Sequence, residues 1–274
     1  MIFCHELNKS FPSQSQMFKA MKDEKSNLLM LKKSAVKFTD GFDCLLFDDV
    51  TEKGVVTKGN DAVLDNPTEL KIRVVGNTTN LLDSHRDLHV DGLWKRTLKA
   101  SNKKVLLQEH KREFDKVIAS DSKVYVKTMP WKDLGESFEG DTEALIADAL
   151  VKSSRNPLMF DQYKNGWVNN HSVGMQYVDV VLCINSEEKY YKEEKENWDK
   201  YYPLIVNNEV ADQTGYFWAV LEAKLLEISA VLFGSNYVTP TLENNMKSEQ
   251  SPSDVYDPSK DTQPINKFFN PNLY

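Results

Sequence analysis

The sequence predicts an α+β protein in which a strand-rich core is flanked by helices. Three observations carry the prediction. β-Branched and aromatic runs recur along the middle of the chain, around Ile72, Val105, Val124, Val178 and Val220, and such residues suit a pleated, half-buried surface. Two stretches, Met17 to Leu31 and Ala144 to Val151, instead space their apolar residues as helices do. With 274 residues, 41% of them hydrophobic, the chain can bury one large core plus tails.

Taken in order, residues 1–35 open polar and then place Met17, Phe18, Met21, Leu28, Leu29 and Leu31 at loosely helical spacing. This segment precedes every strand signal. It reads either as helix packed on the main core or as a peripheral, removable one, and it sets a first division at residues 1–40. The main domain is expected over 41–240. Cys44 to Phe47 is its first expected strand, followed by turns at Gly54, Gly59 and Asn66-Pro67. Ile72, Val74 and Val75 form the next, broken by Gly76 to Asn80. Leu93 to Leu98 fits one or two helical turns, Val105 to Leu107 a strand, and Val117 to Lys127 more β pattern.

Between Asp141 and Ser154 good helix formers predict a helix capped by Asp141 or Thr142 and ended at Asn156-Pro157. Ser172 to Ile184 is expected to be a buried strand. The Glu, Lys and Tyr of residues 186–202 suggest a solvated helix or long hairpin, and Tyr216 to Phe233 reads as two strands with a bend. After Pro240 the composition turns polar and proline-rich, so 241–274 is expected to be a disordered tail.

Composition narrows the function classes. A net charge of −7 and a pI near 5.4 argue against direct nucleic-acid binding, which needs a clustered positive field. Cys4, Cys44 and Cys183 are few and far apart, without disulfide or metal spacing. The most apolar run, Tyr216 to Phe233, is interrupted by Glu222, Lys224 and Glu227, which excludes a membrane span there. The N-terminus has no basic region leading into an apolar one, so no signal peptide is expected.

Three positions hold candidate chemistry. Ser172, beside Gly174 at the entrance of an apolar strand, could act as a nucleophile that a substrate backbone can approach. His110 ends the strand of Val105 to Leu107, where a base is held rigidly yet faces substrate. Glu227 interrupts an apolar run, and a carboxylate there must be hydrogen-bonded or face a polar site. A fourth cluster, Asp83, His85 and His89, has the residue types of a metal site, but its sequence reads as a loop whose aspartates cap main-chain amides. Neither a metal nor a cofactor is expected.

The order His110, Ser172, Glu227 resembles that of the prohead serine proteases of tailed bacteriophages, a family similar to the herpesvirus capsid maturation proteases. Four blocks carry the resemblance over about residues 70–240: Asp83 to Leu98, Val105 to His110, His171-Ser172-Val173-Gly174-Met175, and Leu225-Leu226-Glu227-Ile228-Ser229-Ala230-Val231 followed by Gly234-Ser235-Asn236. The chain departs from the family pattern at Arg86, at Asp91 to Trp94, at Lys111 and in an apparent insertion over 185–215.

The resemblance implies a mostly antiparallel β-barrel flanked by helices. It implies a serine endopeptidase with Ser172 as nucleophile, His110 as base and Glu227 as third member, with His171 and Asp179 as other candidates for that place. The implied partners are the major capsid protein and scaffold as substrates, together with the chain's own ends, and the implied location is the host cytoplasm inside the assembling prohead. A homo-oligomer is open. The alternative is an inactive scaffold or packaged structural protein that keeps the protease fold.

Overall fold

Burial of a nearly continuous apolar run organises the chain around one long strand. The computed structural model describes residues 1–37 and 67–244. The strand expected at Cys44 to Phe47 and the segment from 245 onward lie outside the described residues. Strands β1 (Ile2–Cys4) and β2 (Lys9–Phe11) pair with each other, then helices α1 (Gln14–Asp23) and α2 (Lys25–Ser34) lead into the short strand β3 (Val36–Lys37). After the gap come β4 (Glu69–Asn77), β5 (Asp87–His89), α3 (Lys95–Ala100), β6 (Lys103–Gln108), β7 (Val117–Pro130) and β8 (Asp141–Lys152). Helix α4 (Pro157–Lys164), β9 (His171–Ile184), α5 (Lys192–Tyr201), α6 (Glu209–Thr214), β10 (Tyr216–Ala230) and β11 (Thr241–Asn244) complete the order.

The sheet runs β11-β4-β8-β7-β6-β10-β9-β3, with β5 beside the first part of β10. It is mixed: β10 is parallel to β5 and β6 and antiparallel to β9, and the remaining neighbours are antiparallel. The class is therefore α+β, as expected, but the described strands form an open sheet and close no barrel. β10 is the spine. It pairs with β9 from Tyr216↔Ile184 to Ala230↔His171 and carries β5 and β6 in succession on its other side.

Several expectations need correction. Asp141–Lys152 is a strand, not a helix. Ala144, Leu145, Ile146 and Ala147 are all buried, and β4 and β7 hydrogen-bond along its two edges, so ladder pairing and two covered faces override the helix propensity of its alanines. Asn156-Pro157 then starts a helix instead of ending one. The Asn156 side chain accepts from Met159 N at 3.1 Å, and the proline occupies the first turn, where its missing N–H costs nothing.

The apolar run from Tyr216 is one continuous strand whose bend is absorbed by register shifts near Glu222 and Leu225. Helix α5 is not solvated all round, because Glu194, Trp198 and Tyr201 are buried. Thr241–Asn244, at the start of the expected tail, pairs with β4 as an edge strand.

The N-terminal helices pack on the main core. Met17, Phe18, Met21 and Leu28 are buried in the same cluster as Leu182, Trp218 and Leu225. Glu6 accepts from Tyr216 Oη at 2.7 Å and from Trp218 Nε1 at 3.3 Å. Lys22 and Lys25 pair with the fully buried Glu194, and Lys32 with the fully buried Asp87. No helix among the described residues is long and apolar enough to cross a membrane.

Candidate active site

Register places the three candidate residues at one end of the sheet. Where β9 enters, Ser172 faces Ser229, Val173 faces Ile228 and Gly174 faces Glu227 on β10. Directly opposed residues project to the same side and successive residues alternate. Ser172, Gly174, Glu227 and Ser229 thus share one face, and Val173 and Ile228 point to the other, against Gly76 of β4. On the far side of β10, Gln108 ends β6 in register with Ala230, so the next two residues arrive over this same end.

There the chain takes two left-handed steps, Glu109 at φ 51° and His110 at φ 55°. Glu109 N donates to Ala230 O at 2.9 Å, and the Glu109 carboxylate accepts from Leu232 N at 3.1 Å. The turn brings the His110 ring back onto the strand, with Nδ1 2.7 Å from Glu227 Oε1. The Ser229 hydroxyl donates to Glu227 Oε2 at 2.6 Å and accepts the His110 main-chain N–H at 3.1 Å.

Both oxygens of this nearly buried carboxylate therefore have partners, which offsets the cost of taking it out of water. With Glu227 as the acceptor of this contact, Nδ1 of His110 is the donor and Nε2 is left to act as the base. The side chains of His110 and Glu227 are 7% and 5% exposed, and Ser172 is 7% exposed. In such a setting a preorganised hydrogen-bonded pair acts with little competition from water.

Gly174 has a different use from the one its sequence position suggests. Its missing side chain is the space the Glu227 carboxylate fills, because a Cβ there would lie 2.1 Å from Oε1 and 2.9 Å from Cδ. The sequence pattern alone assigns that space to an approaching substrate backbone.

The other candidates for a third member stand apart. His171 is fully buried, and strand alternation turns it away from Ser172. Its Nδ1 lies 2.9 Å from Thr239 O and its Nε2 2.9 Å from Tyr163 Oη, so Nδ1 donates and Nε2 accepts in a neutral ring. Burial pushes its pKa down to about 4. Asp179 is exposed past the middle of β9, opposite Glu222.

The polar loop behaves as the aspartate-capping reading expects. Asp83 Oδ1 accepts from His85 N at 2.8 Å and from Asp87 N at 2.9 Å. His89 lies in β5, with Nδ1 2.8 Å from Asn77 Oδ1 and Nε2 3.5 Å from Tyr177 Oη, and Tyr177 donates to Asp87 at 2.7 Å. Among the described residues no group of three or more His, Cys, Asp or Glu is arranged to hold a metal ion. A narrow cleft beside Ser172 is lined by Asn77, Asp83, His85, His89, Tyr177 and Asn236. Of these linings, Asn77 and Tyr177 carry no site signal in the sequence, since one reads as part of the Gly76 to Asn80 break and the other as an ordinary strand residue.

Comparison with protein-family models, with curated proteins and with solved structures finds no match to this chain.

Proposed function

We propose that this chain is a serine endopeptidase of the phage prohead maturation kind, cutting scaffold and capsid protein segments, and its own ends, inside the assembling shell. The observation that carries the reading is the 2.7 Å contact of His110 Nδ1 with Glu227 Oε1, made on the sheet face from which Ser172 projects. A base oriented by a carboxylate, on the sheet face from which a strand-borne hydroxyl projects, supports acyl transfer.

In this reading Ser172 Oγ attacks the scissile carbonyl while its proton passes to His110 Nε2. Glu227 holds the tautomer and stabilises the imidazolium. The imidazolium then protonates the leaving amine as the peptide C–N bond breaks, and a water molecule repeats the sequence to release the acyl group. The likeness of the four sequence blocks to the prohead proteases supplies the substrate class and the herpesvirus-protease-like barrel. Contact between Gly76 of β4 and Val173 of β9, strands far apart in the sheet order, is compatible with such curvature.

The test is co-expression of the chain with capsid and scaffold proteins encoded beside it, as wild type and as Ser172→Ala, with intact-mass analysis of assembled particles. Cleavage in the wild type that vanishes in Ser172→Ala is the expected result. Cleavage that persists in Ser172→Ala removes Ser172 as nucleophile. Fully assembled particles without cleavage in either sample favour a structural protein.

A further inference from the structure

The residue facing Ser172 across the β9–β10 ladder is Ser229, which is fully buried. We propose that Ser229 is a positioning residue for the His110–Glu227 pair, an inference that rests on the peptidase reading and adds a fourth member to its machinery. A serine hydroxyl has one proton to give and lone pairs to receive with. Ser229 uses both on the site. It donates to Glu227 Oε2 at 2.6 Å and accepts the His110 N–H at 3.1 Å. One side chain thus grips the carboxylate and the main chain of its histidine partner together.

Both need holding. Two successive non-glycine residues in the left-handed region, Glu109 and His110, are each strained, and such a turn persists only where neighbours fix it. The carboxylate in turn has two oxygens and a rotatable bond. With Oε2 tied to Ser229, Oε1 is presented to Nδ1; once Oε2 is released, the group can turn away and the imidazole loses its fixed tautomer. Buried strand serines usually give their proton to a nearby carbonyl, whereas this one gives it to the carboxylate that touches His110. Partners one step removed from the reacting atoms typically change activity 10- to 100-fold when such support is lost, by analogy with the groups that orient metal-bound histidines.

The experiment compares the full chain with Ser229→Ala and Ser229→Thr, in cleavage kinetics on a scaffold or capsid substrate and in ¹⁵N NMR of the histidine ring nitrogens. For Ser229→Ala the expected result is a kcat lower by about 10- to 100-fold with KM within about twofold. Ser229→Thr, which keeps the hydroxyl, recovers most of the loss. The ring spectrum of His110 is expected to change from one Nδ1–H form to a mixture of tautomers in Ser229→Ala and to stay single in Ser229→Thr. A Ser229→Ala chain that retains kcat within about twofold and a single His110 tautomer overturns the proposal. If the wild type cleaves nothing, the peptidase reading fails by itself, and the tautomer comparison still decides whether Ser229 positions the pair.

Discussion

Glu227 Oε1 occupies the volume that a side chain at Gly174 would need, on the strand beside its own. A Cβ at that position would stand 2.1 Å from the oxygen, well inside contact distance. Gly174→Ala is therefore expected to push the carboxylate off His110 Nδ1. Because the displaced atoms are the far end of a side chain, the fold should lose no more than about 1–3 kcal/mol, while cleavage falls about 100-fold. Thermal melting and substrate cleavage of the same variant check both parts. Activity within twofold of wild type would show that the Glu227 contact is dispensable.

Glu227→Gln keeps the shape of the side chain and changes what it offers to His110. An amide turned to present its NH2 would donate to Nδ1, and the ring proton would move to Nε2, the nitrogen needed as base. A loss of about 10³- to 10⁴-fold in kcat is expected, with the fold intact by circular dichroism. Retained kcat in Glu227→Gln would assign the orienting role elsewhere.

His171 links stability to pH through burial. Its folded pKa, down to about 4, lies below the unfolded value near 6.5, so the unfolded chain binds the extra proton first as pH falls. The contribution is intact above about pH 6.5 and is lost progressively as pH drops toward 4, by about 3 kcal/mol from this group. Urea unfolding of wild type and His171→Gln from pH 7 to pH 4 isolates it. The wild-type curve should be the steeper; parallel curves would contradict the assignment.

Glu194 has no exposed side-chain surface and meets Lys22 and Lys25, which hold its carboxyl below the usual range although burial alone would raise it. Removing both lysines strands a buried charge, and Lys22→Ala/Lys25→Ala should cost about 3 kcal/mol at neutral pH. The folded pKa is depressed, so this stabilisation is present above the unfolded carboxyl value and is lost as pH falls through the folded one. Chemical unfolding of the double variant at pH 7 and at pH 3 should show the gap to wild type narrowing in acid.

Much of this architecture is legible in the sequence where local pattern and burial agree. β-Branched runs mark β4, β6, β9 and β10, and the polar interruption of an apolar strand marks Glu227. Asp141–Lys152 is misread because alanine-rich sequence favours helix until strands close on both its edges, a fact no local window contains. Ser229 is visible within the Glu-x-Ser spacing, which puts two residues on one strand face. Its partners are not, since the His110 amide comes from a turn 119 residues away. The left-handed pair Glu109–His110 gives no warning either, as neither residue is the glycine such a turn prefers.

The parallel pairing of β6 with β10 also governs when the molecule can become competent. His110 and Glu227 lie 117 residues apart, so the two can meet only after β10 has been made and has paired with β6. Long-range pairing of this kind is paid for in loop-closure entropy and slows folding. A chain still emerging from the ribosome, or one cut short before β10, carries His110 and Ser172 without the strand that joins them. In the peptidase reading proposed above, the contact of His110 with Glu227 is completed only once β10 has been made and has paired.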